Sequence, residues 1–302
     1  MPLHTTEDLS NQADALDLRA PLEILSILHH GQLDAARSVA TCFPALSRAA
    51  EAAAAALSSG GRLIYAGAGS SGLMAMADAL ELPGTFGIAP DRVVILLAGG
   101  TDNLRTLAGG PEDDADQARN DIEAIAAGPD DCLIALAASG TTPYAVAALG
   151  AARACGATTV AIANNAPTPL LDAANVAIYL PTPPEIVAGS TRMGAGTAQK
   201  IALNMISTLM AIRLGHVHDG RMVNLKADNA KLKQRARRIV CAVANCTEAE
   251  ADRHLDSADG SVKIAILLAA GAPDPQHAEQ MLAASSQSLR PALRRLERSS
   301  ES

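Results

Sequence analysis

"RLIYAGAGSSG", residues 62–72, decides the fold, because it joins a short apolar run to a loop of glycine and serine. Leu63, Ile64 and Tyr65 fit a buried strand, and the glycines after them allow a tight turn. The run that follows, "GLMAMADALEL" (72–82), consists of good helix formers. A strand, a glycine-rich turn and a helix in succession indicate an α/β protein.

Four further apolar runs have the same texture, and helical stretches lie between most of them. They are "RVVILLAGG" (92–100), "CLIALAASG" (132–140), "TTVAIANN" (158–165) and "VAIYLPT" (176–182). Continuous apolar strands that alternate with helices indicate a parallel sheet covered on both faces. We therefore predict a doubly wound, parallel five-stranded sheet with helices on both faces.

Helical patterns flank the sheet region on either side. Residues 1–60 have apolar side chains at helical spacing up to Gly60 and Gly61, which predicts an N-terminal helical segment. Residues 61–235 form the predicted sheet domain with a long helix near its end. Residues 236–302 are predicted to form a small C-terminal helical bundle.

Composition excludes several classes of protein. The net charge of −8 argues against a nucleic-acid binder, whose footprint is a basic patch. No uncharged apolar run reaches the ~18 residues of a membrane span, and the polar, acidic N-terminus does not resemble a signal peptide. Five scattered cysteines without a C-x-x-C pair predict buried free thiols in a reducing compartment, so we expect a cytoplasmic protein. Aromatic residues make up only 2%, which predicts a core of small aliphatic side chains.

Three loops combine glycine with hydroxyl side chains: "GAGSSG" (67–72), "ASGTTP" (138–143) and "AGSTRMGAGTAQK" (188–200). Each is expected to precede a helix, and a helix N-terminus suits an anion such as a phosphate ester. One alternative is that Ser70, Ser139 and Ser190 only cap helices. Another is that the first loop is a dinucleotide fingerprint, but the run "RVVILLAGG" ends without the acidic residue that this fingerprint expects.

Five motifs in this order resemble one family. They are "GRLIYAGAGSSG" (61–72), "DALELPGTFG" (78–87), "LAGGPEDD" (107–114), "AASGTTPY" (137–144) and "GSTRMGAGTAQK" (189–200). Together they resemble the N-acetylmuramic acid 6-phosphate etherases of the sugar isomerase (SIS) domain superfamily, to which the glucokinase regulatory proteins are related. The resemblance runs from "TTEDLSNQADALD" (5–17) to "DGSVKIAILL" (259–268) and implies an SIS-type form of the predicted sheet.

The resemblance implies cleavage of the lactyl ether of N-acetylmuramic acid 6-phosphate, which yields N-acetylglucosamine 6-phosphate and D-lactate. It implies a sugar 6-phosphate as the bound partner, a homodimer, and neither a metal nor an organic cofactor. It also implies functional carboxylates at Glu81 and Glu112. The substrate-binding residues that follow from it are Gly69, Ser70, Ser71, Ser139, Gly140, Thr141, Thr142, Ser190, Thr191, Arg192 and Lys226.

The residues around the two carboxylates allow functional and structural interpretations. We expect the helix that carries Glu81 to end at Pro83, and burial among leucines would keep Glu81 protonated, as a general acid must be. The alternative is a carboxylate that faces solvent at a helix end. Glu112 follows Pro111, and acids are common in a first helical turn, so only the resemblance singles it out.

Other residues limit what the resemblance implies. His216 and His218 could bind a metal with Asp219, although a solvated loop is the simpler interpretation. Three positions where the family commonly has a basic residue carry Leu73, Thr141 and Gly194, which puts the exact substrate in question. The alternatives are a non-catalytic sugar-phosphate regulator or an SIS enzyme that acts on another phosphosugar.

Overall fold

The structure is a computed structural model that describes residues 5–225, 227 and 229–300. Five parallel strands form its main sheet: β1 Leu63–Gly67, β2 Val93–Leu97, β3 Cys132–Leu136, β4 Thr158–Ala163 and β5 Val176–Tyr179. Their order is β2-β1-β3-β4-β5, which is the doubly wound arrangement. The prediction of a five-stranded parallel sheet is therefore confirmed.

Seven helices are found before and between the strands and directly after the sheet: α1 Pro21–Ser38, α2 Phe43–Ser58, α3 Gly69–Phe86, α4 Ala115–Ala124, α5 Pro143–Ala154, α6 Pro169–Asp172 and α7 Gly194–Arg213. A short hairpin of β6 Val217–His218 and β7 Arg221–Met222 follows. The chain continues as α8 Ala230–Ala244, α9 Glu248–Ser257, α10 Val262–Ala269, α11 Pro275–Ala283 and α12 Leu289–Ser300. Within the described residues, no helix is long and apolar enough to cross a membrane.

Residue contacts divide the chain into two compact units. The first contains the residues up to Ala79 together with Asp91–Ser207, and it includes the whole main sheet. The second contains Leu80–Pro90 and the chain from Thr208 onward. Whether 1–60, 61–235 and 236–302 are separate folding domains stays a prediction.

The core of the first unit is built from small side chains, as the low aromatic content predicts. Strands β1 and β3 are buried along their whole length. On α5, Ala145, Ala148 and Ala152 are completely buried against the sheet. Because alanine side chains are small, the helix backbone can lie close to the strands. The core can therefore be closely packed without large aromatic side chains. The thiols of Cys42 and Cys132 are buried, those of Cys241 and Cys246 are only partly buried, and Cys155 is exposed, so the prediction of buried thiols was wrong for Cys155.

The strand order reverses between β1 and β3, and this reversal positions the site. Gly67 at the end of β1 pairs in register with Leu136 at the end of β3. The loops after these two strands therefore leave the sheet side by side and at the same level. In open α/β sheets, ligands bind outside the carboxyl ends of the strands at such a reversal.

Candidate functional site

A cavity of about 350 Å³ lies at the carboxyl ends of β1 and β3, within the first unit. Its lining is dominated by hydroxyls, small residues and two carboxylates. The lining residues are Thr6, Glu7, Ala68, Gly69, Ser70, Ser71, Leu107, Glu112, Ala137, Ala138, Ser139, Thr142, Gly189 and Thr191. Among these described residues there is no lysine, arginine or histidine, and what they offer an anion is hydrogen-bond donors and the N-termini of two helices.

The first wall of the cavity is the turn from β1 into α3. A Cβ atom on Gly67 would come within 3.0 Å of Gly72 Cα, and one on Gly72 would collide with the Leu97 side chain. These glycines therefore allow α3 to begin directly against the strand ends. Ser70 and Ser71 lie in the first turn of this helix and line the cavity. The backbone N–H groups of a first turn have no partner within the helix, and they favour a negatively charged ligand.

The second wall is the turn from β3 into α5. Ser139 Oγ accepts a hydrogen bond from the Thr141 N–H at 3.2 Å and lies 3.4 Å from Thr142 Oγ1. Thr142 occupies the N-cap position of α5, but its side chain makes no capping hydrogen bond. Ser139 and Thr142 both line the cavity. The capping alternative therefore does not hold for Ser139, because Thr142 and not Ser139 occupies the N-cap position of α5.

The third predicted loop differs from expectation, because the N-terminus of α7 is already occupied by an internal anion. Glu185 is 5% exposed. Its Oε2 accepts the Gly194 N–H at 2.9 Å and its Oε1 accepts the Ala195 N–H at 2.8 Å. Burial raises the pKa of Glu185, and the two backbone hydrogen bonds oppose that rise. We expected this helix N-terminus to bind an anionic group of a ligand. That expectation was wrong for the N–H groups of Gly194 and Ala195, because both already donate to Glu185.

Glu112 lies half-buried at the cavity, in a short 3-10 helix, Gly110–Asp113. Burial raises the pKa of its carboxyl group, and the neighbouring charge of Asp113 raises it further. A carboxylate with a raised pKa is a stronger base than an ordinary glutamate, which suits removal of a proton from carbon.

Glu81 is placed differently from expectation. Helix α3 does not end at Pro83 but continues to Phe86, with Pro83 inside it. Glu81 is exposed rather than buried among leucines, because the helix buries Leu82 and leaves Leu80 and Glu81 in solvent. The predicted burial of Glu81 in this chain was wrong, and its role as the acid stays a prediction.

The cavity brings together most of the predicted substrate-binding residues, which come from three separate loops. Those that line it are Gly69, Ser70, Ser71, Ser139, Thr142 and Thr191. Those that do not line it are Gly140, Thr141, Ser190 and Arg192. Lys226 lies outside the described residues, and its predicted role stays a prediction.

The three positions that lack the family's basic residue are also absent from the cavity lining. Leu73 is partly buried and Thr141 is exposed. At Gly194, a Cβ atom would come within 3.1 Å of Glu185 Oε2. A basic side chain would therefore begin beside a buried carboxylate at this position.

Two lining residues with polar side chains were missed by sequence reasoning: Thr6 and Glu7, which lie in a short 3-10 helix, Thr5–Glu7. The stretch "TTEDLSNQADALD" contributed to the resemblance, but no local feature placed it near the loops 60 or more residues away. The described part of the chain contains no group of three or more His, Cys, Asp or Glu side chains that could hold a metal ion.

A protein-family model described as the SIS domain matches residues 34–164, which include strands β1 to β3 and the two turns of the cavity. A solved structure of a putative phosphosugar isomerase involved in capsule formation, from Bacteroides fragilis, is similar with a TM-score of 0.50 at 19% identity. The similarity covers 65% of this chain and 94% of that one, and it concerns the fold alone. The fold and its cavity define an SIS-domain protein.

Relatives of nearly the same length give a closer assignment. The chain is 44% identical to the N-acetylmuramic acid 6-phosphate etherase of Deinococcus radiodurans, over 93% of this chain and 92% of that protein. It is 41% identical to the etherase of Streptomyces coelicolor, over 96% of this chain and 93% of that protein. The chain belongs to the N-acetylmuramic acid 6-phosphate etherase family.

Proposed function

We propose that this protein cleaves the D-lactyl ether of N-acetylmuramic acid 6-phosphate to N-acetylglucosamine 6-phosphate and D-lactate. One observation carries the proposal. In a chain that is 44% identical to a named etherase across 93% of its length, Glu112 lines the same cavity as the serine-bearing turns after β1 and β3. That cavity offers hydrogen-bond donors for a phosphate and a carboxylate for proton transfer.

The reaction needs a base and an acid, because an ether oxygen is a poor leaving group. In the proposed sequence, Glu112 removes the proton at C2, next to the aldehyde of the open-chain sugar. Glu81 donates a proton to the departing lactate oxygen, and water then adds to the unsaturated aldehyde. The raised pKa of Glu112 supports its assignment as the base.

The phosphate group belongs, in this proposal, at the first turns of α3 and α5. Ser70, Ser71 and Ser139 contribute hydroxyl donors there, and the free N–H groups of the helix starts add to them. Arg192 and Lys226 remain predicted contributors; Arg192 does not line the cavity, and Lys226 lies outside the described residues. The bound sugar then extends from the phosphate toward Glu112.

The proposal includes a homodimer. Large apolar side chains are exposed on α1, where Leu22 is 81% and Leu25 is 60% exposed, and on α7, where Ile212 is 49% exposed. Contact with a second copy would remove such surface from water. Light scattering should give twice the 30.8 kDa mass of one chain, and a monomer at micromolar concentration would contradict this part.

The proposal also includes a cytoplasmic location, which the cysteines support. All five are free thiols, as expected for a reducing compartment. Fractionation of cells that make the protein tests this point directly, because the proposal requires it in the cytoplasmic fraction.

Turnover tests the proposed activity. The purified protein, incubated with N-acetylmuramic acid 6-phosphate, should release D-lactate and N-acetylglucosamine 6-phosphate in equal amounts. N-acetylmuramic acid without the phosphate is the matched control and should react far more slowly. Binding of the sugar phosphate without lactate release would instead support the regulator alternative.

A further inference from the structure

We propose that Glu7 is a specificity-determining residue of the cavity, whose carboxylate accepts hydrogen bonds from the hydroxyl or amide N–H groups of the bound sugar. The inference rests on the proposed function in one respect, namely that the ligand is a sugar phosphate. It begins from a carboxylate that lines the cavity and that nothing in the proposed reaction uses.

A buried anchor holds the segment that carries Glu7. Thr6 is 3% exposed and Asn165 is 2% exposed. The Thr6 N–H donates to Asn165 Oδ1 at 3.3 Å, and Asn165 Nδ2 donates to Thr6 Oγ1 at 2.9 Å. The Gly189 N–H donates to the Thr6 carbonyl oxygen at 3.1 Å. These three hydrogen bonds fix the backbone beside Glu7 on the cavity wall.

The same asparagine connects this segment to the phosphate-binding turn. Asn165 Nδ2 lies 3.4 Å from the Ser139 carbonyl oxygen and within hydrogen-bonding distance of it. On its other side, Glu7 lies against Gly189, where a Cβ atom would come within 3.2 Å of Glu7 Oε2. Gly189 has a φ of +72°, a conformation that favours glycine. The hydrogen bonds of Thr6 and the close contact with Gly189 therefore hold the backbone around the Glu7 side chain in place.

The chemistry of a carboxylate decides which part of the ligand it faces. An ionised carboxylate only accepts hydrogen bonds, and it repels a phosphate. The serine-bearing turns provide donors for the phosphate, so Glu7 suits the groups of the ligand that donate. In an N-acetylated amino sugar these are the ring or chain hydroxyls and the amide N–H. Glu7 thus orients the ligand with its phosphate at the serines.

The test compares two probes, N-acetylglucosamine 6-phosphate and inorganic phosphate, by calorimetric titration. Glu7→Ala should weaken binding of the sugar phosphate about tenfold or more, the effect of losing a hydrogen bond to a charged group. Binding of inorganic phosphate should be unchanged or tighter, because a negative charge has been removed. Glu7→Gln, which keeps the shape, should give a smaller loss for the sugar phosphate.

Asp8→Ala is the matched control, since Asp8 has the same charge and is adjacent in sequence but does not line the cavity. It should leave the affinity of both probes unchanged. Equal weakening of both probes in Glu7→Ala would show a structural role of the segment and overturn the proposal. Unchanged affinity for the sugar phosphate, or a wild type that binds no sugar phosphate, would also overturn it. Normal binding without lactate release would remove the proposed activity and leave the role of Glu7 standing.

Discussion

The Glu112 carboxylate lies directly over Gly69, the first residue of α3: a Cβ atom on Gly69 would come within 2.5 Å of Glu112 Oε1. Gly69 also has a φ of +50°, in the left-handed region that disfavours other residues. The carboxylate proposed as the base can therefore lie against the turn that carries Ser70 and Ser71 only because residue 69 has no side chain.

Gly69→Ala should displace the Glu112 carboxylate and strain the turn. We expect kcat/KM for lactate release to fall by roughly tenfold or more, because a misplaced base transfers protons poorly. Gly84→Ala, in the same helix and with open space around it, is the control. It should leave activity unchanged and stabilise the helix by about 0.5–1 kcal/mol. Full activity of Gly69→Ala would refute the proposed positioning.

Glu112→Gln should abolish exchange of the C2 proton with heavy water together with lactate release. In the wild type, the acidic limb of kcat/KM should lie above pH 4.5, the ordinary pKa of the group, because burial raises the pKa of Glu112. A raised native pKa means that the folded state binds its proton more tightly than the unfolded state. Stability from this group therefore declines as the pH rises through that range.

The variant should consequently unfold at a higher temperature than the wild type at neutral pH, and the difference should disappear in acid. Thermal melts at both pH values measure this. A wild type that is more stable than Glu112→Gln at neutral pH would mean that favourable interactions of the charged carboxylate outweigh the cost of burying it. That result would contradict the raised pKa of Glu112.

Glu81→Gln separates the two proton transfers. If Glu81 is the acid, lactate release should fall by roughly 10²-fold, while exchange of the C2 proton continues on Glu112. Both rates are measured on the same preparation. A proportional fall in both rates would mean that Glu81 binds the substrate or acts as the base. If neither rate changes, Glu81 is a solvated helix residue without a catalytic role, in keeping with its exposure in this chain.

Ser139→Ala should weaken binding of a sugar 6-phosphate by about 1.5–3 kcal/mol, the cost of one hydrogen bond to a charged group. Calorimetric titration measures the change. Ser58→Ala, at an exposed serine that ends α2, provides the control and should bind as the wild type does. Equal affinities of the Ser139→Ala variant and the wild type would remove Ser139 from the phosphate site.

Glu185→Ala should destabilise the fold by roughly 1–3 kcal/mol, because it leaves the N–H groups of Gly194 and Ala195 buried without a partner. Denaturant unfolding measures the loss. Glu123→Ala removes an exposed carboxylate on α4 and should change the stability by no more than about 0.5 kcal/mol. A stability loss no larger than that of the control would show that the N–H groups find other acceptors.

Local sequence patterns were sufficient for the five strands of the main sheet. Continuous apolar runs identified all five strands, since strands such as β1 and β3, which are buried along their whole length, must be apolar throughout. The glycine and serine turns after β1 and β3 were also recognisable, because each follows directly on its strand. The β1–α3 and β3–α5 turns, which form two walls of the cavity, can therefore be predicted from short stretches of the sequence.

The tertiary structure decided what depends on contacts between distant residues. Glu7 joins the cavity because Thr6 is bound to Asn165, 159 positions away. Glu185 takes the N-terminus of α7 that the sequence left open to a ligand, and the continuation of α3 past Pro83 leaves Glu81 exposed. Local pattern specifies which segment becomes a strand or a helix, but only the packed chain determines which buried groups satisfy one another and which are left for a ligand.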